Sequence, residues 1–154
     1  MAKKCDNKSV GMLFWKNDEL LLIERKRFPF GFAPPAGHVD DDVSFEDAAI
    51  RELKEETGLE AEDIKLIIEG RKDNPCRRGG QWHYWKIYEV KVKGELKLNK
   101  DETKQIAFVP KNILSELAQK TELYNKGKIS ENDWEKTPGI ERVWLDWFKE
   151  LKII

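Results

Sequence analysis

Three glutamates, Glu52, Glu55 and Glu56, stand in the run Arg51-Glu52-Leu53-Lys54-Glu55-Glu56-Thr57-Gly58-Leu59. On a helix these positions are related as i, i+3 and i+4, which sets the three carboxylates on one face. Like charges at that spacing cost roughly 0.2–0.5 kcal/mol per pair in a free helix. A cation that bridges them reverses the sign. Hard oxygen donors suit Mg²⁺, with Mn²⁺ as the other candidate, because these ions take a few carboxylates and fill the remaining positions with water and substrate phosphate. The same run would also serve as an ordinary solvated helix face. Its surroundings decide between the two readings.

The helix that must carry the acids is well marked. Ser44-Phe45-Glu46-Asp47 reads as an N-cap box, Gly58 as the stop after about Thr57, and Ala49, Ile50 and Leu53 as the core face. Upstream, the apolar runs Val10–Trp15 and Leu20–Ile23 flank the turn Lys16-Asn17-Asp18 and predict a β-hairpin. Phe28 to Gly37 holds too much Pro and Gly for a helix and predicts a stiff loop. Downstream, Ile64–Ile68 and Gln81–Val92 read as strands joined by the loop Asp73–Gly80. Gln105–Val109 reads as a further strand and Asn112–Gln119 as a short helix. Val143, Trp144, Trp147, Phe148 and Leu151 recur at helical spacing within Ile140–Leu151. Elements in this order predict a mixed sheet covered by helices.

With these residues in place, the chain resembles the Nudix hydrolase family, whose box is written Gx5Ex7REUxEExGU with U a bulky aliphatic residue. Gly37 stands as the leading glycine, and Arg51 to Leu59 match REUxEExGU at every fixed position. A chance match is on the order of 10⁻⁸ per starting position. One fixed position departs: Val43 stands where the family has its first Glu. That leaves Arg51 in need of another partner, with Asp47 one turn before it and Asp42 as the two candidates.

The resemblance implies an α/β fold, a Nudix-like α–β–α sandwich around a mixed β-sheet, in a single domain over 1–154. It assigns Glu52, Glu55 and Glu56 to metal binding and the Gly37 carbonyl to a further ligand position. Arg51 joins the catalytic set. In that family water attacks a phosphorus of a diphosphate linkage, and a glutamate takes the proton. Glu52 is the favoured base, and Glu102, from a distant polar turn, is the other candidate.

Substrate choice lies outside the box. Arg25, Lys26 and Arg27 could steer phosphates, although a basic loop in water has the same composition. Phe28, Phe30 and Phe32 lead into the box, where a base could stack or the core could pack. The segment from Arg77 and Arg78 through Gly79-Gly80 to Trp82-His83-Tyr84-Trp85 suits an edge that holds a nucleotide, with Arg78, Trp82 and Trp85 as the named contacts. Strand alternation puts Trp82 and Tyr84 on one face and His83 and Trp85 on the other, so one pair belongs to the core. Pro75 falls sixteen residues after Leu59, near an offset at which several Nudix enzymes acting on ADP-ribose carry a proline. The Trp144/Trp147/Phe148 stripe reads as core cover, or else as a homodimer contact.

Bulk composition narrows the partners. The chain has 154 residues, 40% hydrophobic and 37% charged, with 28 basic against 29 acidic side chains for a net charge of −1. No global field draws nucleic acid or an anionic membrane. Cys5 and Cys76 stand in no CxxC or His-spaced pattern, and no apolar run suggests a signal peptide or membrane span, so a cytoplasmic protein is expected. The expected function is Mg²⁺-dependent hydrolysis of a phosphoanhydride in a nucleoside diphosphate derivative. A (d)NTP, ADP-ribose, a nucleotide sugar and a dinucleoside polyphosphate remain open as substrates. A non-catalytic nucleotide-binding module and an RNA-end processing or binding domain are the alternatives.

Overall fold

Apolar residues on alternating sides of the central strands divide the interior into two cores. The computed structural model describes residues 4–154, so the first three residues of the domain expected over 1–154 lie outside the described part. Along the chain come β1 (Lys8–Leu13), β2 (Trp15–Lys16), β3 (Glu19–Arg25), β4 (Phe32–Ala33), β5 (Ala36–His38), α1 (Phe45–Thr57), β6 (Glu60–Lys72), β7 (His83–Lys93), β8 (Thr103–Pro110), α2 (Lys111–Asn125), α3 (Glu131–Lys136) and α4 (Arg142–Glu150). Val10 and Met12 of β1, Leu21 of β3 and Tyr88 and Val90 of β7 pack with Ala48, Ala49 and Leu53 of α1. On the opposite side Leu13, Leu20, Leu22, Trp85 and Ile87 pack against Leu114 of α2 and Trp144, Trp147 and Phe148 of α4. Strands thus lie between helices on both sides, as expected of the α–β–α sandwich.

One sheet runs in the order β5-β1-β7-β6, with β1 and β7 parallel from Lys8↔Tyr84 to Leu13↔Glu89 and the other pairs antiparallel. The other is centred on β3, which pairs with β8 along its length and with the short β2 and β4. The expected hairpin is real but small. It joins Trp15–Lys16 to Glu19–Leu20 through Asn17 and Asp18, both at positive φ. The run Val10–Leu13 does not join it. These residues are buried on both faces, so they form a central strand that takes the parallel partner β7. Gly11 is required there, because a Cβ would fall 2.3 Å from the Trp144 ring.

Helix α1 matches its local signals. The Ser44 side chain accepts from the Asp47 backbone N–H at 3.1 Å, and Gly58, at φ 77°, donates its N–H to the Lys54 carbonyl. The stiff loop between Phe28 and Gly37 contains two short strands, β4 and β5. Helix α2 runs six residues past the expected Gln119, and β6 spans thirteen residues around the five expected. The Trp144/Trp147/Phe148 stripe is core: each is at most 1% exposed.

Candidate active site

Helix α1 presents its acids to a cavity of about 280 Å³ whose wall includes Gly37, Glu52, Glu55 and Glu56. Strand β5 lies directly on the first of them: a Cβ on Gly37 would sit 2.1 Å from the Glu52 carboxyl carbon, so any side chain there would push that carboxylate out of place. Glu52 is 13% exposed in its side chain. Burial pushes its pKa up to about 7; the Arg51 charge pulls the other way and Glu55 adds to the rise. Glu56 accepts from the Ala36 backbone N–H at 3.2 Å. Burial, and then the neighbouring Glu52 charge, hold Glu56 well above the usual carboxylate range, against the pull of Arg25. Glu55 is exposed at the rim.

Arg51 ties this cluster together. Its Nε donates to Asp42 at 2.8 Å, Nη1 to Glu52 at 2.9 Å and Glu55 at 3.1 Å, and Nη2 to the His38 carbonyl at 3.0 Å. Of the two acids expected as its partner, Asp42 makes the bond. Val43 points into solvent and is 95% exposed, so it leaves no gap in the site.

The chemistry of this donor set fits a hard divalent cation. Glu56 lies in the field of the Glu52 charge, and Glu52 in that of Glu55, in a largely buried place that Arg51 and Arg25 do not fully neutralise. A cation there would remove the penalty that holds both acids toward their protonated forms. Among the described residues, the group whose donor atoms all lie within 4.8 Å of one another is a different one, Cys5, His38, Cys76 and His83. Those are sulfur and nitrogen donors, whereas the glutamates offer the oxygen donors that a hard ion takes along with part of its water shell.

Other predicted residues are divided between the cavity and its surroundings. Arg25 and Glu102 line the cavity. The Arg25 guanidinium donates to the Pro29 carbonyl at 2.7 Å and faces buried Glu141 at 3.3 Å. Burial raises the pKa of Glu141, and Arg25 opposes the rise. Arg27 is half exposed and lies 3.9 Å from Glu102. Arg78 lines the cavity and is held by Asp40 at 2.6 and 3.3 Å. The alternation in β7 holds: His83 and Trp85 are buried, while Trp82 and Tyr84 are exposed. Trp85 reaches the cavity wall from the core, edge-on to Trp144. Trp82 lies outside the cavity, with the Arg71 guanidinium over its ring at 4.5 Å. Phe32 packs against the core from β4 and does not line the cavity.

A second cavity of about 340 Å³ adjoins the first and shares Pro29, Asn74, Pro75 and Glu141 with it. Phe28 and Phe30 line it, together with Tyr124 and Trp134, whose rings stack at 4.1 Å and 5°. The Trp134 indole N–H donates to the Phe30 carbonyl at 3.3 Å. Sequence reasoning missed Tyr124, Trp134 and Glu141. The cap pattern Ser130 to Asp133 was the one local sign of α3.

The NUDIX domain family matches residues 6–132. The chain belongs to that family. The Nudix chain is 39% identical over 114 residues to an ADP-ribose pyrophosphatase of Methanocaldococcus jannaschii, covering 71% of this chain and 65% of the relative. It is 37% identical over 70 residues to the asymmetrical bis(5'-nucleosyl)-tetraphosphatase of Mus musculus, covering 46% of this chain and 42% of the relative. It thus spans less than two thirds of either relative. Its fold is similar to that of a MutT NUDIX hydrolase from Burkholderia pseudomallei, with a TM-score of 0.62, 24% identity and coverage of 69% of this chain and 84% of that one. Among the described residues, no helix is long and apolar enough to cross a membrane.

Proposed function

We propose that this Nudix chain hydrolyses a phosphoanhydride bond in a nucleoside diphosphate derivative with the help of Mg²⁺, and that ADP-ribose is the first substrate to try. The observation that carries the reading is the pair Glu52 and Glu56, both held toward protonation on the wall of one cavity, with Gly37 packed against the Glu52 carboxyl. Glu52, Glu55 and Glu56 would hold the metal, with the Gly37 carbonyl as a further ligand. A bound divalent ion supplies charge neutralisation at the phosphoryl oxygens and a lower pKa for the attacking water.

The chain's own groups do the rest. Arg51 fixes Glu52 and Glu55 relative to the helix end. Glu52, held by Arg51 on the cavity wall, is the favoured base for the proton of the attacking water, with Glu102 on the same cavity as the other candidate. Water adds to one phosphorus, the bridging P–O bond breaks, and the departing phosphate keeps the electron pair. Arg77, and Arg78 with the hydrogens that Asp40 leaves, also line the cavity and can donate to phosphate oxygens.

The adjoining aromatic lobe supports a substrate with a planar base beyond its diphosphate, as does Pro75 at the junction of the two cavities. The likeness to the archaeal ADP-ribose pyrophosphatase orders the candidates, ahead of a dinucleoside polyphosphate, a nucleotide sugar and a (d)NTP. The test is product release across these compounds with Mg²⁺, for the native chain and Phe28→Ala, whose half-exposed ring lines this lobe. The expected result is best turnover on ADP-ribose, with KM raised roughly tenfold in Phe28→Ala, since a lost stacking partner costs about 1–3 kcal/mol. Best turnover on another compound would replace the substrate. Tight nucleotide binding without any turnover would replace the enzyme by a binding module.

A further inference from the structure

Cys5 and Cys76 read as isolated thiols in the sequence, yet the fold brings them together with both histidines of the chain. Four separate places supply the group: the segment before β1 gives Cys5, the end of β5 gives His38, the loop between β6 and β7 gives Cys76, and the first residue of β7 gives His83. Their donor atoms all lie within 4.8 Å of one another. Cys5 Sγ is 3.3 Å from His83 Nε2 and 3.6 Å from His38 Nε2. In a tetrahedral site with Zn–S of about 2.3 Å and Zn–N of about 2.0–2.1 Å, a sulfur and a nitrogen ligand stand about 3.6 Å apart. The two Cys5–histidine separations are close to this, and a modest contraction would bring the whole group into a ligand shell.

The surroundings are built for it. The Asn7 backbone N–H donates to Cys5 Sγ at 3.4 Å, the kind of outer bond that steadies a thiolate ligand. The Cys76 loop closes on itself, with Cys76 N–H donating to the Gly80 carbonyl at 2.9 Å and Gly79 N–H to the Cys76 carbonyl at 3.1 Å. Gly79 lies at φ 87°. Gly80 makes room for both sulfurs: a Cβ there would fall 2.4 Å from Cys5 Sγ and 3.2 Å from Cys76 Sγ. His83 is 1% exposed, a costly place for an imidazole that takes no part in hydrolysis.

We propose that Cys5, His38, Cys76 and His83 bind one Zn²⁺ in a four-ligand tetrahedral site, with ligands distinct from the carboxylates although His38, Cys76 and His83 lie on the wall of the same cavity. Two sulfur and two nitrogen donors select zinc over magnesium, and the oxygen donors of Glu52, Glu55 and Glu56 make the opposite choice. The zinc site is structural. It clips the segment before β1 and the β6–β7 loop to the edge of the sheet. That loop carries Asn74, Pro75, Arg77 and Arg78 onto the cavity wall, so the clip sets part of the wall that the glutamates share.

The test uses the full chain without a histidine tag, expressed with added zinc and dialysed against Mg²⁺ buffer free of zinc. About one zinc per chain should remain, and a mercurial thiol reagent should release it. The Co²⁺-loaded chain should show the ligand-field bands of a tetrahedral ion and a thiolate-to-cobalt charge-transfer band. Cys76→Ser should lose both. If that variant does not fold, the cobalt spectrum of the native chain still decides. Negligible zinc, with both thiols freely titrated and no cobalt spectrum, would overturn the site. So would a native mass lower by two hydrogens, which marks a Cys5–Cys76 disulfide.

Discussion

Arg51 makes four contacts in the site, and through them it sets the geometry of two of the three box glutamates. The acid that anchors it is Asp42, whereas Val43 beside it stands in water. Val43→Glu should therefore leave turnover within about twofold of the native chain, while Asp42→Asn should lower kcat roughly tenfold through a displaced Arg51. Steady-state kinetics on both variants checks this, and a large gain from Val43→Glu would contradict the geometry. Glu52 carries a second prediction, for pH. Its pKa rises from the ordinary 4.5 to about 7 on folding. A carboxyl held protonated in the folded chain stabilises it at low pH. That contribution, on the order of 3 kcal/mol, is lost as pH rises from 4.5 through about 7. Mg²⁺ must displace this proton, so the rise in Tm produced by Mg²⁺ should be small near about pH 5 and grow toward about pH 8. A difference in Tm that does not change with pH would rule out the linkage.

Elements defined by local signals were legible, and those defined by distant partners were not. Helix α1 could be read from Ser44 to Gly58 because both of its caps are made by residues beside it. The shared face of Glu52, Glu55 and Glu56 followed from spacing, whereas their proposed metal role, and that of Gly37, came from the resemblance to the box. Strand β1 could not be paired from its sequence, because its partner β7 lies some seventy residues away and the nearby β3 looked equally apolar. Strands β4 and β5 were hidden by the prolines between them and by their length of two and three residues. Strand β6 was read short because its exposed, charged face masks the alternation at both ends. The β7 alternation told which residues share a face, but not which face meets the cavity. That is why Trp82 and Trp85, both expected at the substrate, separate. The Cys/His group gave no spacing signal, since its four ligands come from four stretches joined only by the fold.

At the scale of the whole molecule, the cavity opens where parts from both sides of the sandwich meet. Helix α1 brings the acids, β3 brings Arg25, the β6–β7 loop brings Arg77 and Arg78, and the start of α4 brings Glu141. A net charge of −1 gives no long-range attraction for phosphates, so recognition rests on these local groups. The account stands or falls with the glutamates. The direct test is turnover of the best substrate with and without Mg²⁺, in the native chain and in Glu56→Gln, which keeps the shape and the acceptor for the Ala36 N–H. The prediction is activity that needs the metal and falls about a hundredfold or more in Glu56→Gln, with Tm in metal-free buffer held or raised. Full activity in the variant, or in metal-free buffer, would contradict the account.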